Sequence, residues 1–371
     1  MPVRCAVLPP VAVPYREPLF ALMGQNPEIA LRVVYQSQGQ PGWDQPEGWF
    51  SSDHPYDAVA LGSRQHARPG RTPVVVPRGV GHALSEFDPE VVVSWEYGPT
   101  TLRALAWCRR RGRRLVIFSE LPPHADTELP GWQLRIHRAL AARADGFVVA
   151  SSAARRRVIA LGAAPGAVAV SLQSADLEPF AAVAAGAGSP PVRLLYVGRL
   201  VEDKNLERLL RALAGLDACL ELCGTGPLEG ELRSLAERLG VEADFRGYVA
   251  PAELPARFTK AGALVLPSLY DPFGVAVREA AAAGLPVICS RNAGAAGDFA
   301  VDGRNAVLVD PLSESSIRAA LELVVGDAGA RRRMAAESRA LSAEHPLADD
   351  AAAFVGAITR AAAAAPRRVA G

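Results

Sequence analysis

A chain of 371 residues, half of them apolar and 21% charged, is too long for one ordinary hydrophobic core and too apolar for wholesale disorder. We therefore expect two domains of ordinary size. The 40 Lys and Arg residues balance 39 Asp and Glu residues, for a formal net charge of +1, and this balance argues against a nucleic-acid partner.

Several familiar functional patterns are missing from the sequence. It has no apolar run of about eighteen residues, no small-residue cleavage site near the N-terminus, no Walker A or G-x-S-x-G sequence and no His/Cys group at zinc-ligand spacing. We predict a cytoplasmic protein without a metal site. The five scattered cysteines, Cys5, Cys108, Cys219, Cys223 and Cys289, are expected to be buried as small hydrophobic residues.

Short β-branched runs alternate with longer Ala/Leu/Arg-rich stretches in the first half of the chain. The predicted strands are AVLPPVAV, LRVVYQS, YDAVAL, PEVVVSW, RRLVIFS, DGFVVAS and AVAVSL, and the predicted helices lie around Pro18–Met23, Thr100–Arg111, Trp132–Arg143 and Ala153–Leu161. Continuously apolar strands separated by single helices indicate a parallel sheet that is covered on both faces.

The second half repeats this alternation. Its predicted strands are VRLLYVG, ACLELCG, ADFRGYV, GALVLPS, LPVICS and AVLVD, and its predicted helices lie around Asn205–Leu213, Gly230–Leu239, Pro251–Thr259, Val275–Ala283 and Ser313–Gly326. Each half is therefore predicted to be an α/β, Rossmann-like domain.

Composition marks the domain boundaries. Residues 179–191, PFAAVAAGAGSPP, are small and uncharged and predict a linker between a first domain of residues 1–178 and a second domain of residues 192–345. A final Ala-rich helix in residues 346–371 is predicted to leave the second domain and pack back on the first. Two such domains would face a central cleft, where a ligand should bind.

One segment of the second domain carries candidate chemistry. Leu264–Val287 reads as strand, loop, helix and strand, with Asp271 before the helix and Glu279 inside it. Free backbone N–H groups at the start of this helix, together with the helix dipole, form a site for phosphate oxygens. The alternative for the two acids alone is a helix cap and a solvated helix residue.

Lysine usage points to a second component of the same site. The chain has only two lysines, Lys204 and Lys260, and Lys204 follows Gly198-Arg199 at the end of a predicted strand. A planar guanidinium and a compact ammonium near one strand end suit a diphosphate. Lys260 has no such context and is expected on the surface.

Together these fragments resemble a known family. The motifs, in chain order, are Gly198-Arg199-Leu200-x3-Lys204, Cys223-Gly224-Thr225-Gly226-Pro227, Phe245-x-Gly247-Tyr248-Val249, Leu266-Pro267-Ser268 and Asp271-x-Phe273-Gly274-x4-Glu279-Ala280-x-Ala282-x-Gly284-x-Pro286-Val287. Their order and spacing over most of the second domain are similar to those of the retaining family 4 glycosyltransferases of the GT-B fold. The resemblance implies two Rossmann-like domains, with the acceptor bound by the first and a nucleotide-sugar donor by the second.

The resemblance also implies roles for individual residues. Arg199 and Lys204 would bind the donor diphosphate, Glu279 the ribose hydroxyls and Asp271 the donor sugar as the first acid of the family motif. The other donor-binding residues expected are Gly198, Tyr248, Val249, Phe273, Gly274, Val275 and Ala276. No metal or other cofactor is required in this fold, and the co-substrate would be a UDP, GDP or TDP sugar. Asp271 departs from the usual Glu, which leaves the donor sugar open.

The first domain matches the family less closely. Pro14-Tyr15-Arg16-x-Pro18-Leu19-Phe20 resembles the N-terminal loop of a subset of these enzymes, although the usual Gly-Gly pair is absent, and predicts Tyr15 and Arg16 as acceptor-binding residues. The family often has an N-domain His near the donor sugar, and Glu120 and His124 are the candidates for orienting the acceptor or assisting proton transfer. A purely structural loop is the alternative.

Aromatic and basic residues of the first half give further hypotheses. Trp43 and Trp49 lie in a Pro/Gly-rich loop, where they would stack on a sugar or an apolar aglycone or else pack inward to anchor the loop. The arginine runs at 109–114 and 155–157 would contact anionic lipid at the inner face of a membrane, with an ordinary solvated surface as the alternative.

The sequence therefore predicts a metal-independent, retaining glycosyltransferase, a monomer or homodimer, that moves a hexose-type sugar from a nucleoside-diphosphate sugar to a hydroxyl acceptor. The acceptor would be a glycan, a lipid-linked glycan or a small-molecule natural product. Two alternatives remain: a sugar-nucleotide epimerase of the same architecture, and a non-catalytic donor-binding subunit.

Overall fold

The computed structural model describes residues 1–39, 53–68, 71–127, 129–183 and 191–364. The chain divides into two compact units. Unit 1 comprises Met1–Ala175 and Leu347–Gly371, and unit 2 comprises Asp176–Pro346. Residues 184–190, within the predicted linker, lie outside the described part.

The described residues form two large sheets and one hairpin. The strands of unit 1 are β1 Val3–Leu8, β2 Ile29–Tyr35, β3 Asp57–Ala60, β4 Ser63–Arg68, β5 Arg71–Pro77, β6 Val91–Trp95, β7 Arg114–Ser119, β8 Gly146–Val149 and β9 Val168–Val170. Those of unit 2 are β10 Val192–Val197, β11 Ala218–Cys223, β12 Ala243–Gly247, β13 Ala263–Leu266, β14 Val287–Ser290 and β15 Ala306–Val309.

The α-helices alternate with these strands, as the periodicity of the sequence predicts. They are α1 Glu17–Gly24, α2 Val80–Phe87, α3 Pro99–Arg111, α4 Gly131–Ala141, α5 Ser152–Ala160, α6 Glu178–Ala181, α7 Leu206–Leu213, α8 Glu229–Leu239, α9 Pro255–Phe258, α10 Val275–Ala283, α11 Glu314–Gly326, α12 Ala328–Ala343 and α13 Leu347–Ala363. Side-chain oxygens cap several of them: Ser151 accepts from Ala154 N at the start of α5, and Ser313 accepts from Ser316 N at the start of α11.

The sheet of unit 1 is parallel and has the order β3-β2-β1-β6-β7-β8-β9. One face packs on α1 and α13 through residues such as Phe20 and Phe354, and the other packs on α2 to α5 through residues such as Trp107 and Leu140. Because both faces are covered, strands such as β6 and β8 are almost entirely apolar and do not alternate between apolar and polar residues.

The C-terminal helix α13 belongs to unit 1. Its Phe354 ring stacks on Phe118 of β7 with centroids 5.8 Å apart, and Asp350 Oδ1 accepts a 2.7 Å hydrogen bond from Leu172 N. The prediction that the last helix packs back on the first domain is confirmed.

The sheet of unit 2 is also parallel, in the order β12-β11-β10-β13-β14-β15. Helix α7 packs against α8 and α11, and α10 packs against α12. The prediction of two α/β, Rossmann-like units with parallel sheets is therefore confirmed.

Some elements differ from the sequence prediction. Strands β4 and β5 form an antiparallel hairpin that the sequence pattern did not indicate. Helices α2, α6 and α12 were not predicted, and α6 overlaps the start of the predicted linker. The helix predicted over Pro251–Thr259 is wrong in length, because only Pro255–Phe258 is helical. Pro255 has no N–H to donate to the carbonyl of Pro251, so an α-helix cannot run through both residues.

All five cysteines are buried and free, as predicted. Burial raises the pKa of Cys108 and of Cys223 to about 12, so these thiols stay protonated and behave as small hydrophobic residues.

Candidate functional site

The candidate site of unit 2 lies at the edge of the sheet where its parallel strands end. Gly198 follows β10, Gly224 follows β11, Tyr248 follows β12, and the segment of residues 267–274 connects β13 to α10. Parallel strands in one sheet end at the same edge, so the fold brings these predicted motifs together.

Two of these turns approach each other too closely for any side chain. A Cβ atom added to Gly224 would lie 1.9 Å from the carbonyl oxygen of Gly198. The main chains are joined there by hydrogen bonds from Gly198 N to Cys223 O, 3.0 Å, and from Leu200 N to Thr225 O, 2.9 Å. The glycines of the Cys223–Pro227 motif therefore allow the backbone that follows β11 to pack directly against the backbone at the end of β10.

Asn205 fixes the loop that carries Lys204. Its backbone is left-handed, with φ 58°, and its side-chain Nδ2 donates to Pro267 O at 3.0 Å and to Pro311 O at 2.8 Å. Leu269 N also donates to Asp203 O at 2.8 Å. These bonds attach the Lys204 turn to the segment that follows β13.

Lys204 and Asp271 form an ion pair in this arrangement. Lys204 Nζ donates to Asp271 Oδ2, and the two side chains are only 12% and 10% exposed. Asp271 Oδ1 also accepts from Phe273 N at 3.3 Å. Asp271 is therefore the counter-ion of Lys204 and not a helix cap, since Gly274 occupies the cap position of α10.

Helix α10 begins with an uncapped N-terminus. Gly274 has φ 90° and supplies no side-chain cap, so the first N–H groups of the helix, those of Val275 and Ala276, keep their capacity to donate. The Phe273 side chain is buried against Phe299, with ring centroids 6.2 Å apart. Phe273 can therefore offer a ligand only its backbone.

Glu279 lies on the second turn of α10 and is partly buried. Among the described residues, its carboxyl group forms no hydrogen bond or ion pair, and burial raises its pKa from 4.5 to about 7. A desolvated carboxyl without a protein partner beside a sheet edge is typical of a ligand-binding acid.

The other predicted donor residues are accessible. Arg199 is exposed, Tyr248 is 41% exposed and Val249 is partly buried. Lys260 is on the surface, as expected.

In unit 1 the fold brings two predicted residues together. Arg16 forms an ion pair with Glu120 although the two are far apart in the sequence. The Arg16 guanidinium is almost fully buried and lies 4.7 Å from the ring centroid of Trp95 and 5.3 Å from that of Tyr15. Glu120 directly follows β7, at the carboxyl edge of the unit 1 sheet.

His124 is not part of this pair. It lies in the 3-10 turn Pro123–Asp126, and among the described residues its imidazole has no hydrogen bond or ion pair. The residues that were predicted to bind the acceptor by stacking, Trp43 and Trp49, lie outside the described part of the chain.

Glu96 is a functional candidate that the sequence interpretation missed. It directly follows β6, has a positive φ of 52°, and its carboxylate accepts hydrogen bonds from Glu120 N and Ser119 Oγ. Its signal in the sequence is an acidic residue immediately after the buried run VVVSW, at the edge where parallel strands end.

The arginine runs are more internally paired than their sequence suggests. Arg113 donates to Asp88 at 2.6 Å, and Arg111 Nη1 lies 3.8 Å from the same carboxylate. Arg157 is fully buried and donates to Asp126 at 2.7 Å. These three guanidinium groups thus have acidic partners within the protein.

Within the described residues, no group of three or more His, Cys, Asp or Glu side chains has a metal-binding arrangement. None of the described helices has the length and apolar composition needed to cross a bilayer.

Comparison with curated proteins finds partial matches to glycosyltransferases. Glycogen synthase of Mycobacterium tuberculosis is 36% identical over 168 residues, which is 43% of this chain and 40% of that protein. The GDP-mannose-dependent alpha-(1-6)-phosphatidylinositol monomannoside mannosyltransferase of Mycolicibacterium smegmatis is 32% identical over 165 residues, 41% of this chain and 42% of that protein. The chain thus spans about two fifths of the length of the curated relatives it matches.

Comparison with solved structures covers nearly the whole chain. The Anabaena protein HepE, solved in complex with UDP and glucose, superposes with a TM-score of 0.75 at 16% identity over 96% of this chain and 99% of that one. Sucrose-phosphate synthase of Thermosynechococcus elongatus superposes with a TM-score of 0.71 at 18% identity, over 92% of this chain and 94% of that one. The chain has the GT-B fold, and residues 183–341 match the family model Glycosyl transferases group 1.

Proposed function

We propose that this protein is a metal-independent, retaining glycosyltransferase that transfers a hexose-type sugar from a nucleoside-diphosphate sugar to a hydroxyl acceptor. One observation carries the proposal: the Lys204–Asp271 pair and the uncapped N-terminus of α10 lie at the edge of the unit 2 sheet where its strands end, with Arg199 shortly after β10 and the partly buried Glu279 on the second turn of α10. This set offers cations and N–H donors to a diphosphate and a hydrogen-bond acceptor to a sugar ring.

Lys204, Arg199 and the first N–H groups of α10 bind the diphosphate in this proposal. Their positive charge offsets the charge that grows on the leaving diphosphate as the bond to the sugar breaks, which is the work that a divalent metal does in other enzymes. Lys204 exchanges its partner Asp271, in part or fully, for phosphate oxygens when the donor binds.

Glu279 and Asp271 contact the hydroxyl groups of the donor. The raised pKa of Glu279 suits a carboxyl group that accepts hydrogen bonds from ribose hydroxyls, since these replace the water lost on burial. Asp271, held by Lys204, faces the donor sugar. Backbone groups at Tyr248 and Val249 border the base.

The proposed chemistry needs no base from the protein. The bond between the sugar C1 and the leaving diphosphate oxygen breaks, a bond between C1 and the acceptor oxygen forms on the same face, and the acceptor proton passes to the leaving diphosphate. Glu120, paired with Arg16 in unit 1, orients the acceptor in this proposal, and His124 is the second candidate for that role.

The nucleotide of the proposed donor is UDP, GDP or TDP, and the binding test below distinguishes them. The similar structure of HepE holds UDP, and the similar enzyme of M. smegmatis is named as GDP-mannose-dependent, so the relatives support more than one base.

The test starts with thermal-shift titration of the full chain with UDP, GDP and TDP, followed by mass spectrometry of UDP-glucose, GDP-mannose and TDP-glucose turnover. Lys204→Ala and Glu279→Ala should each abolish most of the shift and the turnover, whereas Lys260→Ala, at the other lysine, should match the wild type. Full turnover in both site variants would refute the assignment of roles.

The same assay separates the two alternatives. A sugar-nucleotide epimerase converts the donor without any acceptor and leaves the diphosphate attached. A non-catalytic subunit binds the nucleotide yet neither transfers nor hydrolyses the sugar.

A further inference from the structure

Glu96 occupies a backbone conformation that costs free energy. Its φ of 52° lies in the left-handed region, which is unfavourable for residues other than glycine. Two hydrogen bonds maintain it: Glu96 N donates to Phe118 O at 2.8 Å, and Thr101 Oγ1 donates to Glu96 O at 2.7 Å. This conformation turns the side chain from the end of β6 toward the end of β7.

Both carboxylate oxygens of Glu96 are used at the end of β7. Oε1 accepts a 2.6 Å hydrogen bond from Glu120 N, and Oε2 accepts a 3.0 Å hydrogen bond from Ser119 Oγ. The backbone that carries Glu120 is thus bound to the next strand by a side chain and not only by the sheet.

We infer that Glu96 is a positioning residue for Glu120, which it holds in place through the Glu120 amide and the Ser119 hydroxyl so that the Glu120–Arg16 pair is fixed at the carboxyl edge of the sheet. The inference rests on the proposed function, in which Glu120 orients the acceptor. It adds a residue that neither the family motifs nor the sequence interpretation assigns.

The electrostatic surroundings make this contact sensitive to pH. Burial raises the pKa of Glu96 to about 7, Arg157 of α5 lowers it, and the Glu120 charge raises it. Arg157 is itself bound to Asp126, and Glu120 to Arg16. Two nearby groups are uncharged near pH 7: burial raises the pKa of Tyr97, next to Glu96 in the chain, and lowers the pKa of His137, which contacts Arg157, to about 4.

Ionisation of Glu96 strengthens the bond to the Glu120 amide, because charge-assisted hydrogen bonds are stronger than neutral ones. The contact is therefore expected to tighten as the pH rises through about 7.

NMR on the full chain tests the linkage directly. The Glu120 amide signal of the wild type should shift with pH with a midpoint near 7. Glu96→Gln keeps the shape and an acceptor oxygen but cannot ionise, so its Glu120 signal should lose that titration. Glu96→Gly accepts the positive φ without strain and removes the carboxyl group, so amide exchange at residue 120 should accelerate by about tenfold.

Glu90→Gln is the matched control, since Glu90 accepts a backbone hydrogen bond from Arg4 in an exposed part of the same unit. In this variant the Glu120 amide signal should shift with pH as it does in the wild type. A Glu120 signal that titrates identically in the wild type and Glu96→Gln, or equal amide exchange in the wild type and Glu96→Gly, would overturn the inference.

A kinetic measurement connects the contact to the reaction. In the turnover assay with UDP-glucose, GDP-mannose or TDP-glucose, Glu96→Gln should lower kcat by about threefold to tenfold near pH 8 with little change in donor KM, and should flatten the pH profile. An unchanged kcat and pH profile would overturn the positioning role. Absence of turnover in the wild type would instead refute the proposed function, while the NMR titration would still decide the Glu96–Glu120 linkage.

Discussion

Lys204 Nζ and Asp271 Oδ2 contact each other, and both side chains are close to fully buried. The cation that we propose for diphosphate binding is thus neutralised by a carboxylate of the same candidate site. Asp271 is shorter by one methylene than the Glu usual in the glycosyltransferases that the motif resembles, and a second hydrogen bond, from Phe273 N to Asp271 Oδ1, holds the carboxylate toward the loop. If Lys204 binds the donor as proposed, donor binding competes with this ion pair or shares it.

Removing the carboxylate should destabilise the free protein more than the bound one. Asp271→Asn leaves the Lys204 ammonium with a neutral partner, so we expect a loss of about 1–3 kcal/mol in the free energy of unfolding. A saturating nucleoside diphosphate should reduce the difference in the free energy of unfolding between the wild type and Asp271→Asn, because its negative charges take the place of the carboxylate. Urea unfolding with and without UDP and GDP measures both quantities. Glu207→Gln, which breaks the exposed pair with Arg211, should change stability by less than about 0.5 kcal/mol. The prediction would be contradicted if neither UDP nor GDP changed the loss in the free energy of unfolding that Asp271→Asn causes.

Glu279 should make the protein less stable as the pH rises. Its pKa is about 7 in the folded state against 4.5 for the ordinary group. Between pH 4.5 and 7 the folded state binds more protons at Glu279 than the unfolded state does. The contribution of Glu279 to stability is therefore most favourable below about pH 4.5 and is lost as the pH rises through about 7. Glu279→Gln removes this penalty and should raise the free energy of unfolding by roughly 1–2 kcal/mol near pH 8, with little gain near pH 5. Glu231→Gln, at an exposed residue of α8, is the control. A gain of equal size at both pH values would argue against the titration.

The close approach at Gly224 gives a steric prediction. Gly224→Ala places a methyl group against the carbonyl of Gly198, so the ends of β10 and β11 must separate. We expect a loss of about 2 kcal/mol or more in stability and weaker nucleotide binding, measured by urea unfolding and thermal shift. Gly230→Ala is the matched substitution, because a Cβ there meets open space on α8. It should leave binding unchanged and stabilise the protein by roughly 0.5–1 kcal/mol. Equal behaviour of the two variants would show that the Gly224 contact is not needed.

The packing of α13 should contribute substantially to the stability of unit 1. Phe354 is fully buried and stacks on Phe118, so Phe354→Ala should cost about 3–5 kcal/mol by leaving a cavity between the helix and the sheet. Hydrogen exchange should locate the loss in α13 and in β7 to β9. Leu323→Ala removes a 46% exposed side chain of α11 and should cost less than about 1 kcal/mol. A small effect of Phe354→Ala would show that α13 docks without contributing to the core.

The sequence by itself determined most of the architecture. Largely apolar runs such as VRLLYV and VVVSW are typical of strands that are buried on both faces of a parallel sheet, and the helix over Val275–Ala283 has the predicted bounds. The motifs of residues 198–287 also predicted which strand ends carry the candidate site. The positions of strands, helices and motifs depend on residues that are close together in the sequence, so the pattern of apolar residues along the chain predicts them directly.

The tertiary structure decided which charged residues meet. Lys204 pairs with Asp271 because the turn at Asn205 is bonded to the segment after β13, and Arg16 reaches Glu120 because β1 and β7 flank β6 in one sheet. Glu96 belongs to none of the sequence motifs. Its proposed role follows from its positive φ and from its hydrogen bonds to the end of the next strand, which only the structure shows. Pairings across strands depend on sheet order and backbone direction, and spacing along the chain does not encode either quantity.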